Sequence, residues 1–162
     1  MADTAFDLRP AVEADYEAVE ALARQLYQIR EQAHPDVFAL SETAVIEEAD
    51  WQEFISGSDH LVLVADMNGV VTGFVHAISH SVDASPRYVS RDYASIEMMA
   101  VDQSQRRSGI GRSLVRSVQD WASERELTSI ELEVHDANLD AKGLYDALGF
   151  RSVKRTMSIV VR

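Results

Sequence analysis

The sequence predicts an α/β chain with one mixed sheet of about seven strands and helices on both faces. Three observations predict it. Short apolar or alternating runs bounded by turn residues occur at 60–67, 70–79, 96–101 and 128–135, as strands require. Between them lie stretches with apolar residues three and four apart, the period of a helix. Their order reads β-α-α-β-β-β-α-β-α-β-β, with no repeat, low-complexity segment or linker, so 1–162 is read as a single domain.

Each element follows in turn. Residues 6–9 make a first strand, stopped by Pro10. From 15 to 30 the stripe Val19, Leu22, Ala23, Leu26, Tyr27 and Ile29 gives a helix. Glu13, Asp15, Glu17 and Glu20 sit near its start, where the helix dipole favours acids. His34-Pro35 ends it. A second helix covers 43–56, with Val45, Ile46, Ala49 and Phe54 inward and Gly57 as its stop. Residues 60–67 and 70–79 are strands joined by the hairpin turn Asn68-Gly69. Gly73 marks a bulge or close backbone packing. Residues 82–91, with Pro86, form a loop.

Residues 95–116 hold the densest signal. An apolar strand, 96–101, runs into a polar loop, 102–108. Gly109-Ile110-Gly111 then opens an apolar series at Gly111, Leu114, Val115, Val118, Trp121 and Ala122, one face of a helix running to about 126. Such a junction aims free backbone N–H groups and the positive end of a helix dipole at an anion, most often phosphate. It is not a dinucleotide fingerprint, because Leu114 stands where the third glycine belongs, and no Lys follows a glycine as a triphosphatase loop needs. The chain carries 27 acidic and 15 basic residues, yet 103–119 holds Arg106, Arg107, Arg112 and Arg116 and no acid.

After that helix, 128–135 alternates, with Ile130, Leu132 and Val134 on one face and Glu131, Glu133 and His135 on the other, a strand with one wet or substrate-facing side. Residues 138–148 make a short helix capped by Asp136 or Asn138 and ended by Gly149. Residues 150–153 and 156–161 read as two last strands.

Composition excludes several classes of function. With no cysteine there is no disulfide, thiolate metal site or cysteine nucleophile. A net charge of −12 argues against a nucleic-acid-binding module. The first residues lack the pattern of a signal peptide, and runs such as 61–65 are too short to span a bilayer. A cytoplasmic location is therefore expected. His76 and His80 are expected about 13 Å apart on one strand, too far to chelate, so no metal is expected.

Two motifs stand in order along the chain. Arg106-x-x-Gly109-x-Gly111 resembles the [Q/R]-x-x-G-x-[G/A] signature of the GNAT superfamily of N-acetyltransferases. Asn138, Ala141, Leu144, Tyr145, Gly149 and Phe150 match its second motif, N-x-x-A-x-x-[LF]-Y-x-x-x-G-F. The resemblance covers most of the chain and is weakest at 31–57 and 82–91. It implies a splayed, mostly antiparallel sheet with acetyl-CoA, the co-substrate, in the gap between strands 96–101 and 128–135. It also implies that Met99 and Val101 offer main-chain hydrogen bonds to the acetyl group and pantetheine. The amides of Arg107, Ser108, Gly109, Ile110, Gly111 and Arg112, following Arg106, would hold the pyrophosphate, and Ser113 would add a hydroxyl. Asn138 would touch the cofactor and Tyr145 would lie near its sulfur. Family analogy further implies a homodimer.

The chemistry asks for the same parts. An amine with a pKa near 10.4 must lose a proton before it attacks. The thioester carbonyl becomes an oxyanion that a strand-edge N–H stabilises. The leaving thiolate, with a pKa near 8.5 if it resembles cysteine, takes a proton from a nearby phenol. Glu97, a carboxylate inside an apolar strand, is the candidate base, acting through water, with His135 in reserve; Tyr145 is the candidate acid. The expected reaction is direct transfer of acetyl to a primary amine, a small cationic amine or a peptide. The alternative is an idle acetyl-CoA-binding sensor on the same fold. From Glu31 to Pro86 there are ten acids and no Lys or Arg, which suggests a negative wall for a cationic acceptor.

Overall fold

The computed structural model describes residues 6–40, 42–159 and 161. One sheet has the strand order β1-β2-β3-β4-β5, with β1 Asp7–Pro10, β2 His60–Met67, β3 Val70–Val82, β4 Arg91–Val101 and β5 Ser129–Leu132. The first four strands pair antiparallel and β5 joins β4 in parallel. Four helices flank the sheet: α1 Tyr16–Ala33, α2 Glu48–Ser56, α3 Ile110–Glu124 and α4 Leu139–Ala147.

Each face has its own core. Val19, Leu22 and Ala23 of α1 and Trp51 of α2 bury against Val62, Val64 and Phe74. On the other face Ile110, Leu114, Val115 and Val118 of α3, with Tyr145 of α4, bury against Ala65, Val75, Ala77 and Ile96. These are the stripes at helical spacing and the alternate strand positions that the sequence displays. The β2–β3 turn has Asn68 at φ 55° and Gly69 at φ 83°, two successive left-handed residues whose twist suits a two-residue hairpin. Gly73 meets both expectations. The β2–β3 register shifts beside it, between Ala65 and Asp66, and a Cβ there would lie 2.9 Å from Ile110 Cγ2.

Several expectations are corrected. The sheet has five strands among the described residues, not about seven. Residues 151–159 and 161 carry no strand, and Val160 lies outside the described residues. Their alternation suggested strands, but a strand needs a partner edge, and Val153, Met157, Ile159 and Val161 are exposed instead. The strand expected over 128–135 stops at Leu132. The helix expected over 43–56 begins at Glu48, and α1 runs on to Ala33 before His34-Pro35. Pro10 lies inside β1 as its last residue, on the edge of the sheet, where its missing N–H costs no ladder bond.

Three polar residues among those described are buried, Asp15, Thr72 and His76. Asp15 takes an ion pair from Arg9 at 2.7 Å and a backbone bond from Val12 at 2.8 Å; the guanidinium first, then the amide, hold its carboxyl below the usual range. His76 on β3 stacks on Phe54 at 4.0 Å, and its Nε2 lies 3.0 Å from His60 Nδ1. Burial, and then His60, push its imidazole down to about 4.

The His76 shift sets a pH dependence. The folded imidazole stays neutral while the unfolded one protonates near its ordinary 6.5. The unfolded state therefore binds the extra proton, and stability declines as pH falls from about 6.5 towards 4, by roughly 3 kcal/mol at most. Urea midpoints measured from pH 7 to 4.5 should fall steeply for the wild type and less steeply for His76→Leu. Equal slopes would contradict this account.

Candidate active site

The site lies where β4 outruns β5. The two strands pair only from Tyr93↔Ser129 to Ile96↔Leu132, while β4 continues to Val101. Asp102 N donates to Thr72 O at 2.8 Å, so the antiparallel ladder with β3 places its hydrogen-bonded positions at 102 and 100. Alternation then turns the amides of Met99 and Val101 away from β3, towards the gap. These are two open sheet-edge groups above a cleft.

Two clefts meet there. The larger, about 670 Å³, runs from Met99 and Val101 past Arg106, Arg107, Gly109, Ile110, Gly111 and Arg112 to Asn138 and Tyr145. The smaller, about 50 Å³, is lined by Arg30, Glu97, Met98, Glu133 and His135 among others. Met99, Asn138, Ala141 and Tyr145 line both, as do Leu26 and Ile29 of α1.

The loop before α3 is built to face an anion. Gly109 adopts φ 92°, a left-handed conformation that glycine reaches without cost, and nothing lies within 4 Å of where a Cβ would be. Its backbone stands at the N-cap of α3, whose first N–H groups have no partner within the helix. Arg106 and Arg107 come within 3.9 and 3.6 Å of Asp140 on α4, which draws both guanidinium groups to the cleft. Gly111 serves packing as well: a Cβ there would meet Leu144 Cδ2 at 3.1 Å. Gln25 Oε1, a buried acceptor on α1 without a hydrogen-bond partner, belongs to a residue lining the same cleft.

The candidate acid and base converge from opposite sides. Tyr145 is held by α4, whose N-cap Asn138 accepts from Ala141 N at 3.2 Å. Burial pushes its phenol up to about 12, so it keeps its proton at any ordinary pH. Glu97 sits at a β-bulge: His76 faces Met98 and Ala77 faces Ile96, so the register steps over it. Its side chain is exposed and accepts a hydrogen bond from Ser95 Oγ. His135 packs edge-on against Phe38 at 4.9 Å, and burial, then Arg30 and His34, lower its pKa.

The sequence-predicted residues divide in two. Met99, Val101, Arg106, Arg107, Gly109, Ile110, Gly111, Arg112, Asn138 and Tyr145 line the larger cleft, with Glu97 at the smaller one. Ser108 and Ser113 are not among its lining residues; Ser108 Oγ donates to Gln105 O at 2.5 Å. None of the ten acids between Glu31 and Pro86 lines either cleft, so the carboxylates at the smaller one are Glu97 and Glu133. Sequence reasoning missed Gln25, Arg30 and Asp140 as lining residues, while Glu133 and His135, on the face of 128–135 read as wet or substrate-facing, do line the smaller cleft. Leu26 and Ile29, on the helical stripe, were the one signal that α1 reaches the site. Among the described residues no group of three His, Cys, Asp or Glu is placed to hold a metal, and no helix is long and apolar enough to cross a membrane.

Comparison with known proteins agrees with this architecture. Residues 23–150 match the Acetyltransferase (GNAT) family, and the chain belongs to it. An aminoglycoside N(6')-acetyltransferase type 1 from Salmonella enteritidis is 26% identical over 157 residues, covering 93% of this chain and 95% of that protein. A streptothricin acetyltransferase from Escherichia coli is 39% identical over 59 residues, which span 36% of this chain and only 34% of that relative's length. Among solved structures, a tetramutant of the BH1408 protein from Bacillus halodurans superposes with a TM-score of 0.90 at 26% identity, covering 96% of this chain and 99% of that one. The aminoglycoside N-acetyltransferase AAC(6')-Iy, in complex with a CoA-linked bisubstrate analogue, shares the fold with a TM-score of 0.72 at 22% identity, covering 98% and 99%.

The glycines separate two effects in one loop. Gly111→Val should push Leu144 into the cleft and weaken acetyl-CoA binding at least about tenfold, or about 1.4 kcal/mol. Gly109→Ala should strain the loop by about 1 kcal/mol through its positive φ, with no clash. Calorimetry on both folded variants checks this. Unchanged affinity in Gly111→Val would remove that position from the binding site.

Proposed function

We propose that this chain transfers the acetyl group of acetyl-CoA directly to a primary amine, in a ternary complex without an acetyl-enzyme. The observation that carries this reading is the convergence at one junction of two free β4 amides, a carboxylate and a protonated phenol.

The roles follow from the chemistry of each group. The α3 N-terminus, the glycine loop, Arg106 and Arg107 receive the pyrophosphate. The amides of Met99 and Val101 bond the pantetheine and the thioester carbonyl, and the one at the carbonyl gains strength as charge develops on oxygen. Glu97 takes the amine proton, directly or through one water. Tyr145 donates a hydrogen bond to the departing sulfur. A phenol near 12 yields its proton to a thiolate near 8.5 only uphill, so its main contribution is a bond that strengthens as negative charge grows.

The acceptor class is a small cationic amine or an amine-bearing peptide. The relatives named above act on streptothricin and aminoglycosides, both amine acceptors. Glu133 lines the same small cleft as Glu97 and gives it a second carboxylate, and Arg30 lines it as well. A charge on the acceptor besides the reacting amine would pair with Glu133.

Three measurements test this reading. Tyr145→Phe should lower kcat by about 10²-fold with little change in acetyl-CoA affinity; an unchanged kcat would leave the phenol as packing. Glu97→Gln should lower the rate most at neutral pH and least at high pH, where free amine is abundant, and a flat loss across pH would remove Glu97 as base. Glu133→Gln should cut kcat/KM for a diamine by about fivefold, some 1 kcal/mol, and leave a monoamine of equal length unaffected at low salt. Equal losses for both amines would take Glu133 out of acceptor selection.

A further inference from the structure

Glu97 does not stand alone on β4. Ser95, two residues earlier on the same strand, donates its hydroxyl proton to Glu97 Oε1. The same Ser95 oxygen lies 2.7 Å from Nε2 of His80 on β3. The register explains why the three meet: His80 is opposite Tyr93 and Ile78 opposite Ser95, which sets His80 diagonally across from Ser95. The bulge at Glu97 is one residue further along β4 than Ile96. The result is an unbroken line of three polar groups, running from the cleft across two strands.

We propose that Ser95 and His80 relay the amine proton away from Glu97, with His80 as its temporary holder. This rests on the reading of Glu97 as the base. The relay starts with the His80 proton on Nδ1 and Nε2 free to accept, the other tautomer of the ring. Once Glu97 has taken the amine proton, its carboxyl O–H donates to Ser95 Oγ, and Ser95 O–H donates to His80 Nε2. Two concerted transfers then move the proton along. The Glu97 O–H bond breaks as a new one forms at Ser95 Oγ, and the original Ser95 O–H bond breaks as an N–H bond forms at His80. Glu97 is again a carboxylate, Ser95 is again a hydroxyl, and His80 carries one added proton. This end state has His80 Nε2–H donating to Ser95 and Ser95 donating to Glu97, the donor direction observed at Glu97.

The route has a reason. Glu97 faces the small cleft, and an acceptor filling about 50 Å³ there displaces the water that would otherwise carry the proton off. His80 is not among the residues lining either cleft and is half-buried, so it can exchange its proton with solvent while acceptor is bound. Its ring stacks on Tyr93 at 4.8 Å and 24°, which fixes the ring plane. Other charges bear on it. Arg91 lies 4.2 Å over the far neighbour Tyr93 and is itself paired with Glu131. His76, four residues away on β3, is held neutral, and Arg30 of α1 reaches the cleft beside Glu97. Ser95 and His80 touch neither substrate; they act only through Glu97.

The test compares pH–rate profiles of the wild type, Ser95→Ala, Ser95→Thr, His80→Gln, Ser95→Ala/His80→Gln and Glu97→Gln. Ser95→Ala and His80→Gln should each lower kcat about tenfold at pH 7, with KM for amine and acetyl-CoA within about twofold of wild type. The double variant should be no slower than the worse single one, because one path is broken once. Ser95→Thr, which keeps the hydroxyl, should restore most of the rate. If Glu97→Gln is slow but the Ser95 and His80 variants keep wild-type kcat and pH profile, the relay is overturned and the base survives. If Glu97→Gln itself is unimpaired at neutral pH, the base reading fails and takes the relay with it.

Discussion

The parting of β4 from β5 is the constraint on which the rest depends. Had the parallel ladder run on past Leu132, the amides of Met99 and Val101 would bond to protein. Ending it leaves them facing a cleft, where a ligand can take up both donors. The antiparallel partner β3 holds the other side of β4 along its length, so the open edge is rigid. That rigidity matters for catalysis, because a donor fixed before reaction spends nothing on reorganisation as charge develops.

The helices hold this edge open from both sides. α3 buries Ile110 and Leu114 under the sheet, which fixes its N-terminus beneath Val101. α4 carries Tyr145 into the same core, so the phenol is positioned by packing and kept protonated by the same burial. α1 closes the opposite wall with Leu26 and Ile29. The bulge at Glu97 places a carboxylate at the seam between these walls without breaking the β3–β4 ladder. Site and core are thus made of the same residues, and Gly73, pressed against Ile110, is one place where they meet.

Local signals were legible in the sequence. The hairpin at Asn68-Gly69, the glycine loop before α3, the Asn138 cap and the spacing of both motifs follow from short-range chemistry, and each falls where expected. What depended on pairing was not. Residues 151–159 alternate like strands, and nothing local tells that they lie outside the ladder. The early end of β5 is equally a matter of partners. At the site, glycine and arginine spacing pointed to the anion loop and the alternation of 128–135 to Glu133, but Arg30 and Asp140 gave no signal, because ordinary charged residues become significant only when folding brings them to one cleft. The acids of 31–86 show the reverse. As a run they suggested an acceptor wall, yet Glu48 and Asp50 sit in α2, which packs on the β2 side of the sheet.

The central claim is direct transfer between two bound substrates at the β4 edge. Initial rates over a grid of acetyl-CoA and diamine concentrations test it most directly, with the intact mass of the protein read during turnover. Intersecting double-reciprocal lines, an N-acetylated diamine and no added acetyl mass are the predicted result. Parallel lines with an acetylated protein, or acetyl-CoA that binds and is never consumed with any amine, would contradict it.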